Sequence, residues 1–212
     1  MRDTMENKKN NCLLLILSLP LLLLNSCGPA SFSDVMAYKA HVKANDELVQ
    51  QKEFNKIAYT VNYVPNAIIA LRDLDAGKAV SRDSFNHYLD KTRDRIYFSF
   101  TISDVEGSYK IREEIDSKKE YSYDLSYFNQ VLEKNVQLLI DDEDSLQTAF
   151  VHLEPVSSLK PMFRCFVSFD LAQHPKINKG FTFVVNDHLF GNGNIKFYYD
   201  QASINDLPTL KL

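Results

Sequence analysis

The sequence predicts an α+β domain: an antiparallel β-sheet with a C-terminal meander, and about three helices inserted in the N-terminal half. Three observations lead there. Apolar residues alternate with period two over 57–63, 96–102 and 162–169, the pattern of strands with one buried face. Between the first two of these runs, apolar residues recur at helical spacing instead. From Val136 onward, apolar runs are divided only by short, turn-rich stretches, which join antiparallel neighbours more readily than parallel ones.

Taken in order, residues 35–53 carry two patterns. Met36, Tyr38, Ala40 and Val42 alternate as in a strand, while Val35, Tyr38 and Val42 also fit a helical stripe. Extended structure is the preferred reading, with Ala44-Asn45-Asp46-Glu47 as a turn. Ile57, Tyr59, Val61 and Tyr63 then define a half-buried strand. Pro65 ends it and suits the first turn of a helix running through Ile68, Leu71 and Leu74 to Gly77. Ser81 is placed to cap a second helix through Phe85, Tyr88, Leu89 and Thr92, with Asp83 complementing the dipole in its first turn.

Ile96, Phe98, Phe100 and Ile102 form the next alternation, with Tyr97, Ser99 and Thr101 on the opposite face. Residues 103–120 are charged and weakly periodic, a loop or short hairpin. Tyr121, Leu125, Phe128 and Leu132 make a third helical stripe ending near Asn135. Val136–Ile140 and 146–153 read as strands around a hairpin at Asp141-Asp142-Glu143-Asp144-Ser145. A strand over 162–169 follows Pro155 and Pro161. The runs 181–185 and 195–199 pair across a loop containing Gly191-Asn192-Gly193-Asn194.

The N-terminus has a different character. Lys8 and Lys9 precede an apolar run over residues 13–24, 12 residues long. That is short of the roughly 20 needed to span a bilayer, and a basic lead, a short apolar core and small residues describe a secretory signal. Asp3 and Glu6 dilute the charge of Arg2, Lys8 and Lys9, whereas starting at Met5 leaves Lys8 and Lys9 against Glu6 alone, so the start is read as Met1 or Met5. The run closes with Leu24-Asn25-Ser26-Cys27. This segment resembles the lipobox of bacterial lipoproteins, with Leu24 at −3, Ser26 at −1 and Cys27 as the first mature residue.

The resemblance covers the first 27 residues. It implies cleavage between Ser26 and Cys27, lipidation of Cys27, and attachment to the membrane through that N-terminal lipid. Gly28 stands where an aspartate would retain an enteric lipoprotein in the inner membrane, so the resemblance favours the outer membrane, facing the periplasm. The expected organisation is a signal peptide over 1–26, the lipidated cysteine and a short tether over 27–33, and one α+β domain over 34–212.

Charge and cysteine usage agree with export. The formal charge of −4 becomes −5 when residues 1–26 leave, because Arg2, Lys8 and Lys9 go with Asp3 and Glu6. A mildly acidic chain has no electrostatic reason to bind nucleic acid. Cys12 leaves with the signal and Cys27 carries lipid, so Cys165 remains alone and no internal disulfide can form.

Motif by motif, catalytic chemistry finds little support. Cys165 could be a nucleophile with His152 or His174 as its base, but Phe163, Cys165, Val167 and Phe169 share one strand face, the setting of an inert buried thiol. The acids of 141–144 offer oxygens to calcium but lack the ligand spacing of an EF-hand loop, and read as a solvated turn. The glycines and asparagines of 191–194 read as a turn and not as a phosphate loop, since no helix follows. The five histidines show no metal-ligand spacing, so no metal and no cofactor are expected. Tyr109, Tyr121, Tyr123 and Tyr127 cluster beside the weakly periodic segment and are the candidate partner-binding residues, since tyrosine joins apolar area to a hydroxyl.

The expected function is therefore a non-enzymatic binding or scaffold module, anchored in the cell envelope and facing a protein partner there. The competing expectation is a lipid-anchored hydrolase with a site assembled from dispersed residues, such as His152 with acidic neighbours.

Overall fold

The structure is a computed structural model, and it describes residues 30–74, 80–106, 132–154, 162–174 and 176–212. Its strands form three sheets, and with its helices they make an α+β fold.

The first sheet is built from β2 (Val49–Phe54), β3 (Ile57–Tyr63), β4 (Arg95–Asp104), β8 (Met162–Asp170) and β7 (Phe150–Glu154), in the order β2-β3-β4-β8-β7. The second contains β10 (Gly193–Asp200), β9 (Gly180–Asp187), β5 (Val136–Ile140) and β6 (Asp144–Gln147), in the order β10-β9-β5-β6. All pairs in both sheets are antiparallel. Alternation puts Tyr59, Val61, Phe98, Phe100, Val167 and Phe169 of the first sheet on one face, where they meet Leu138, Phe181, Phe183 and Phe197 of the second. Phe98 is the centre: its ring lies 4.9 Å from Phe183, 5.8 Å from Phe181 and 5.6 Å from Tyr199. Tilted and edge-on rings at these separations align the positive edge of one with the negative face of another.

The C-terminal half is not the meander expected from its short turns. β5 and β6 form a hairpin, with Ile140 opposite Asp144. The run 146–153, expected as one strand, is two: β6 ends at Gln147 and β7 begins at Phe150 in the other sheet. The chain changes sheet again between β8 and β9, and β9 adds to β5, not to β8. Alternation cannot reveal this, because both sheets present their apolar faces to the same core. On the far side β2 meets β10 through side chains. Lys52 lies over the Phe197 ring and the Gln50 amide donates to the Tyr198 carbonyl, while the Tyr199 hydroxyl reaches past β2 to donate to the Val61 carbonyl of β3 at 2.9 Å.

Within 35–53, the extended reading holds for residues 49–53 and the turn falls near the expected 44–47, but residues 35–43 differ. Val35–Lys43 is a helix, α1. Asp34 caps it, its carboxylate accepting from the Ala37 N–H at 2.6 Å, and His41 and Lys43 sit favourably in its last turn. The helical stripe prevails over the alternation because Tyr38 finds a second core, made with Ala70, Leu71, Phe85 and Leu210. A 3-10 turn over Asp46–Leu48, capped by Asn45, then feeds β2, whose six residues have little burial and so no alternation to read.

Two further helices lie between β3 and β4. α2 is Asn66–Asp73 and α3 is Arg82–Thr92, the latter capped by Ser81, whose hydroxyl accepts from the Ser84 N–H. α2 lies against the outer face of the first sheet. Its Arg72 sits over the Phe166 ring, which stacks on Tyr97, and this explains why Tyr97 is buried on the face expected to be the more polar. Residues 132–135 are helical and lead into β5.

The third sheet is a parallel pair, β1 (Ser31–Phe32) with β11 (Thr209–Leu210), preceded by the short α4 (Gln201–Asn205). Ser31 and Phe32, within the expected tether, are thus part of the folded domain. The Thr209 N–H donates to the Ala30 carbonyl at 2.9 Å, and the Lys211 N–H to the Phe32 carbonyl at 2.8 Å. Phe32 packs edge-on to Tyr38, so the chain enters the domain beside α1.

Candidate functional site

Among the described residues, a surface concavity lies where α1, the start of β2, the end of β3 and α2 come together. It is a groove of about 280 Å³. Its floor is apolar: Val42 from α1, Val49 from β2, Tyr63 and Val64 at the end of β3, and Ile68 from α2. Pro65 completes it by turning the chain from strand to helix, and Asn62 supplies an amide at its side.

Lys39 and Lys43 line the same groove. With Val42 they occupy positions i, i+3 and i+4 of α1, so one helix face carries both ammonium groups and the apolar contact between them. Both lysines are exposed, and among the described residues neither forms an ion pair. Tyr63 stays a neutral phenol. Burial, followed by the neighbouring Tyr38, pushes its pKa up to about 12. Burial likewise pushes Tyr38 up to about 12. Among the described residues the lining therefore offers apolar surface, one amide and two cations, a set suited to holding a molecule with an apolar body and an anionic end.

The sequence singled out other residues. Ser26, Cys27, Tyr109, Tyr121, Tyr123 and Tyr127 lie outside the described residues. Cys165 is 1% exposed, opposite Phe100 on β4 and Leu153 on β7, and burial pushes its thiol up to about 12. His152 is on the other face of β7, exposed and stacked on Phe150, while the neighbouring Glu154 pairs with Arg72 at 3.9 Å. His174 Nδ1 lies 3.4 Å from Asp144 Oδ2. Within the described residues, no group of three or more His, Cys, Asp or Glu is arranged to hold a metal ion.

The two turns have structural work instead. Asp141 and Asp142 adopt positive φ in a tight turn closed by the Glu143 N–H on the Ile140 carbonyl. The Asp141 carboxylate accepts from the backbone N–H groups of Asn178, Lys179 and Gly180 and from the Asn178 amide. These donors hold its pKa down at about 2. In the 187–193 loop, Asp187 accepts from the N–H groups of Leu189, Phe190 and Asn192.

The groove is the feature that sequence reading missed. Its signal was present in the spacing of Lys39, Val42 and Lys43, but that spacing has meaning only on a helix.

No helix among the described residues is long and apolar enough to cross a membrane. No family model matches the chain, and no curated protein matches it either. Among solved structures, the crystal structure of a DUF4426 family protein from Pseudomonas aeruginosa PAO1 is similar over 74% of this chain and 95% of that one. The identity is 9% and the TM-score 0.30, a likeness that fixes neither topology nor function.

Proposed function

We propose that this protein is a lipid-anchored envelope protein whose domain works by binding. Cys27 carries the lipid after cleavage at Ser26, and the outer membrane, with the domain facing the periplasm, is the site of attachment. The anchor is supported by the order of Lys8 and Lys9, the apolar run and Leu24-Asn25-Ser26-Cys27.

The observation that carries the binding role is the groove between α1, β2, β3 and α2, with its apolar floor and its two lysines. A concave apolar surface bearing a few polar groups is the usual form of a ligand site. A protein partner in the envelope is compatible with the same domain.

The anchor is tested by feeding cells an alkyne-bearing palmitate and comparing the wild type with Cys27→Ser. The wild type incorporates the label and fractionates with outer membranes, whereas the variant does neither. Equal incorporation by both proteins rejects the anchor. The binding role is tested by cross-linking the protein in intact envelopes, where a Val49→Glu variant loses a product that the wild type forms.

A further inference from the structure

We infer that the α1 groove holds a single-chain carboxylate amphiphile, with the carboxylate at Lys39 and Lys43 and the chain laid over Val42, Val49 and Ile68. This rests on reading the domain as a binding module and names the ligand class of that same site.

Charge complementarity is the first argument. The two lysines are four residues apart, so their Cα atoms are separated by about 6 Å along the helix axis, and one carboxylate can be shared between their flexible ammonium groups. Neither is neutralised by a described acid, although the domain is acidic overall. The Asn62 amide adds a neutral donor at the same wall.

Size is the second argument. At about 280 Å³ the groove lies at the small end of ligand-pocket sizes, roughly 300–1,000 Å³, which suits one chain better than the paired chains of a bilayer phospholipid. Apolar exposure is the third. Val49 remains 42% exposed at the groove, where a covering chain would remove it from water.

The test uses membrane vesicles carrying the full lipidated protein, treated briefly with an acetylating reagent and read lysine by lysine by mass spectrometry. Decanoate is the probe, with decyltrimethylammonium as a cationic chain of the same length. Decanoate is expected to slow acetylation of Lys39 and Lys43 at least threefold and to leave Lys196 and Lys211 unchanged. Decyltrimethylammonium gives no such protection, and Val49→Glu, a change at an exposed position, abolishes it.

Absence of protection, equal protection by the cationic chain, or protection that survives Val49→Glu overturns the inference. So does protection produced by phosphatidylglycerol vesicles without decanoate, which would assign the groove to bilayer lipid. The palmitate label, read in parallel, separates the readings: protection of Lys39 and Lys43 together with equal label in the wild type and Cys27→Ser keeps the ligand and removes the anchor. Loss of protection beside an intact Val49-dependent cross-link removes the ligand and keeps the binding role.

Discussion

The Tyr59 hydroxyl donates to the buried Asp187 carboxylate at 2.7 Å, joining β3 of one sheet to the end of β9 in the other across 128 residues of sequence. Asn192 returns to the same hydroxyl at 2.8 Å through its side-chain amide, and Asn55 donates to Asn192 at 2.7 Å. The loop after β9 is thus tied both to its own strand end and to the opposite sheet.

Removing this carboxylate takes the acceptor from the buried Tyr59 hydroxyl and Leu189 N–H and from the part-buried N–H groups of Phe190 and Asn192. Asp187→Ala should destabilise the domain by about 2–4 kcal/mol, and Tyr59→Phe, which deletes the bond donated to Asp187 and the one accepted from the Asn192 amide, by about 1.5–3 kcal/mol. Denaturant unfolding measures both. Unchanged midpoints would show that the loop rearranges at no cost.

Asp141 predicts a pH dependence. Its unfolded carboxyl titrates near 3.9, and its folded one at about 2 because of the backbone N–H groups it accepts from. A lowered folded pKa adds stability above the unfolded value, and that stability is lost as pH falls from about 4 towards about 2. Asn at this position tolerates the φ of 51° and removes the titration. Asp141→Asn should therefore be less stable than the wild type at pH 6 and converge with it near pH 2. Parallel curves across that window would assign the acid sensitivity elsewhere.

Gly180 has φ of 141°, and a Cβ there would lie 2.2 Å from the Tyr199 carbonyl oxygen, a backbone atom that cannot step aside. Gly180→Ala should cost about 3 kcal/mol or more, combining an unfavourable backbone conformation with a clash against β10. A thermal transition within a degree of the wild type would contradict this packing.

For Cys165, burial predicts kinetics. A maleimide reagent should label the native domain only as fast as it opens, and the denatured chain at once. Stoichiometric labelling within the mixing time would place the thiol at the surface.

Legibility followed burial on one face. β3, β4, β8, β9 and β10 each present alternate residues to a common core, so the period was written into the sequence around Tyr59, Phe98, Val167, Phe183 and Phe197. β2 was legible only as extended chain, because Lys52, Glu53 and Phe54 are all exposed and carry no period, and its place depends on pairing with β3. α1 was misread because Met36, Tyr38, Ala40 and Val42 happen to alternate. Only the second core, closed by the terminal pair β1–β11, decides for the helix.

By itself, the sequence determined that this chain carries strands with one apolar face and helices enough for an α+β domain, since period and capping are local properties. The resemblance to a lipobox at Leu24 to Cys27, on which the proposed anchor rests, is likewise read from sequence. Only tertiary structure decided that the C-terminal strands divide between two sheets, that Asp187 faces Tyr59, and that Lys39 and Lys43 overlook an apolar groove. Each of these joins residues distant in sequence whose local patterns are unchanged by the partner they meet, so the pairing is set by the packing of the whole.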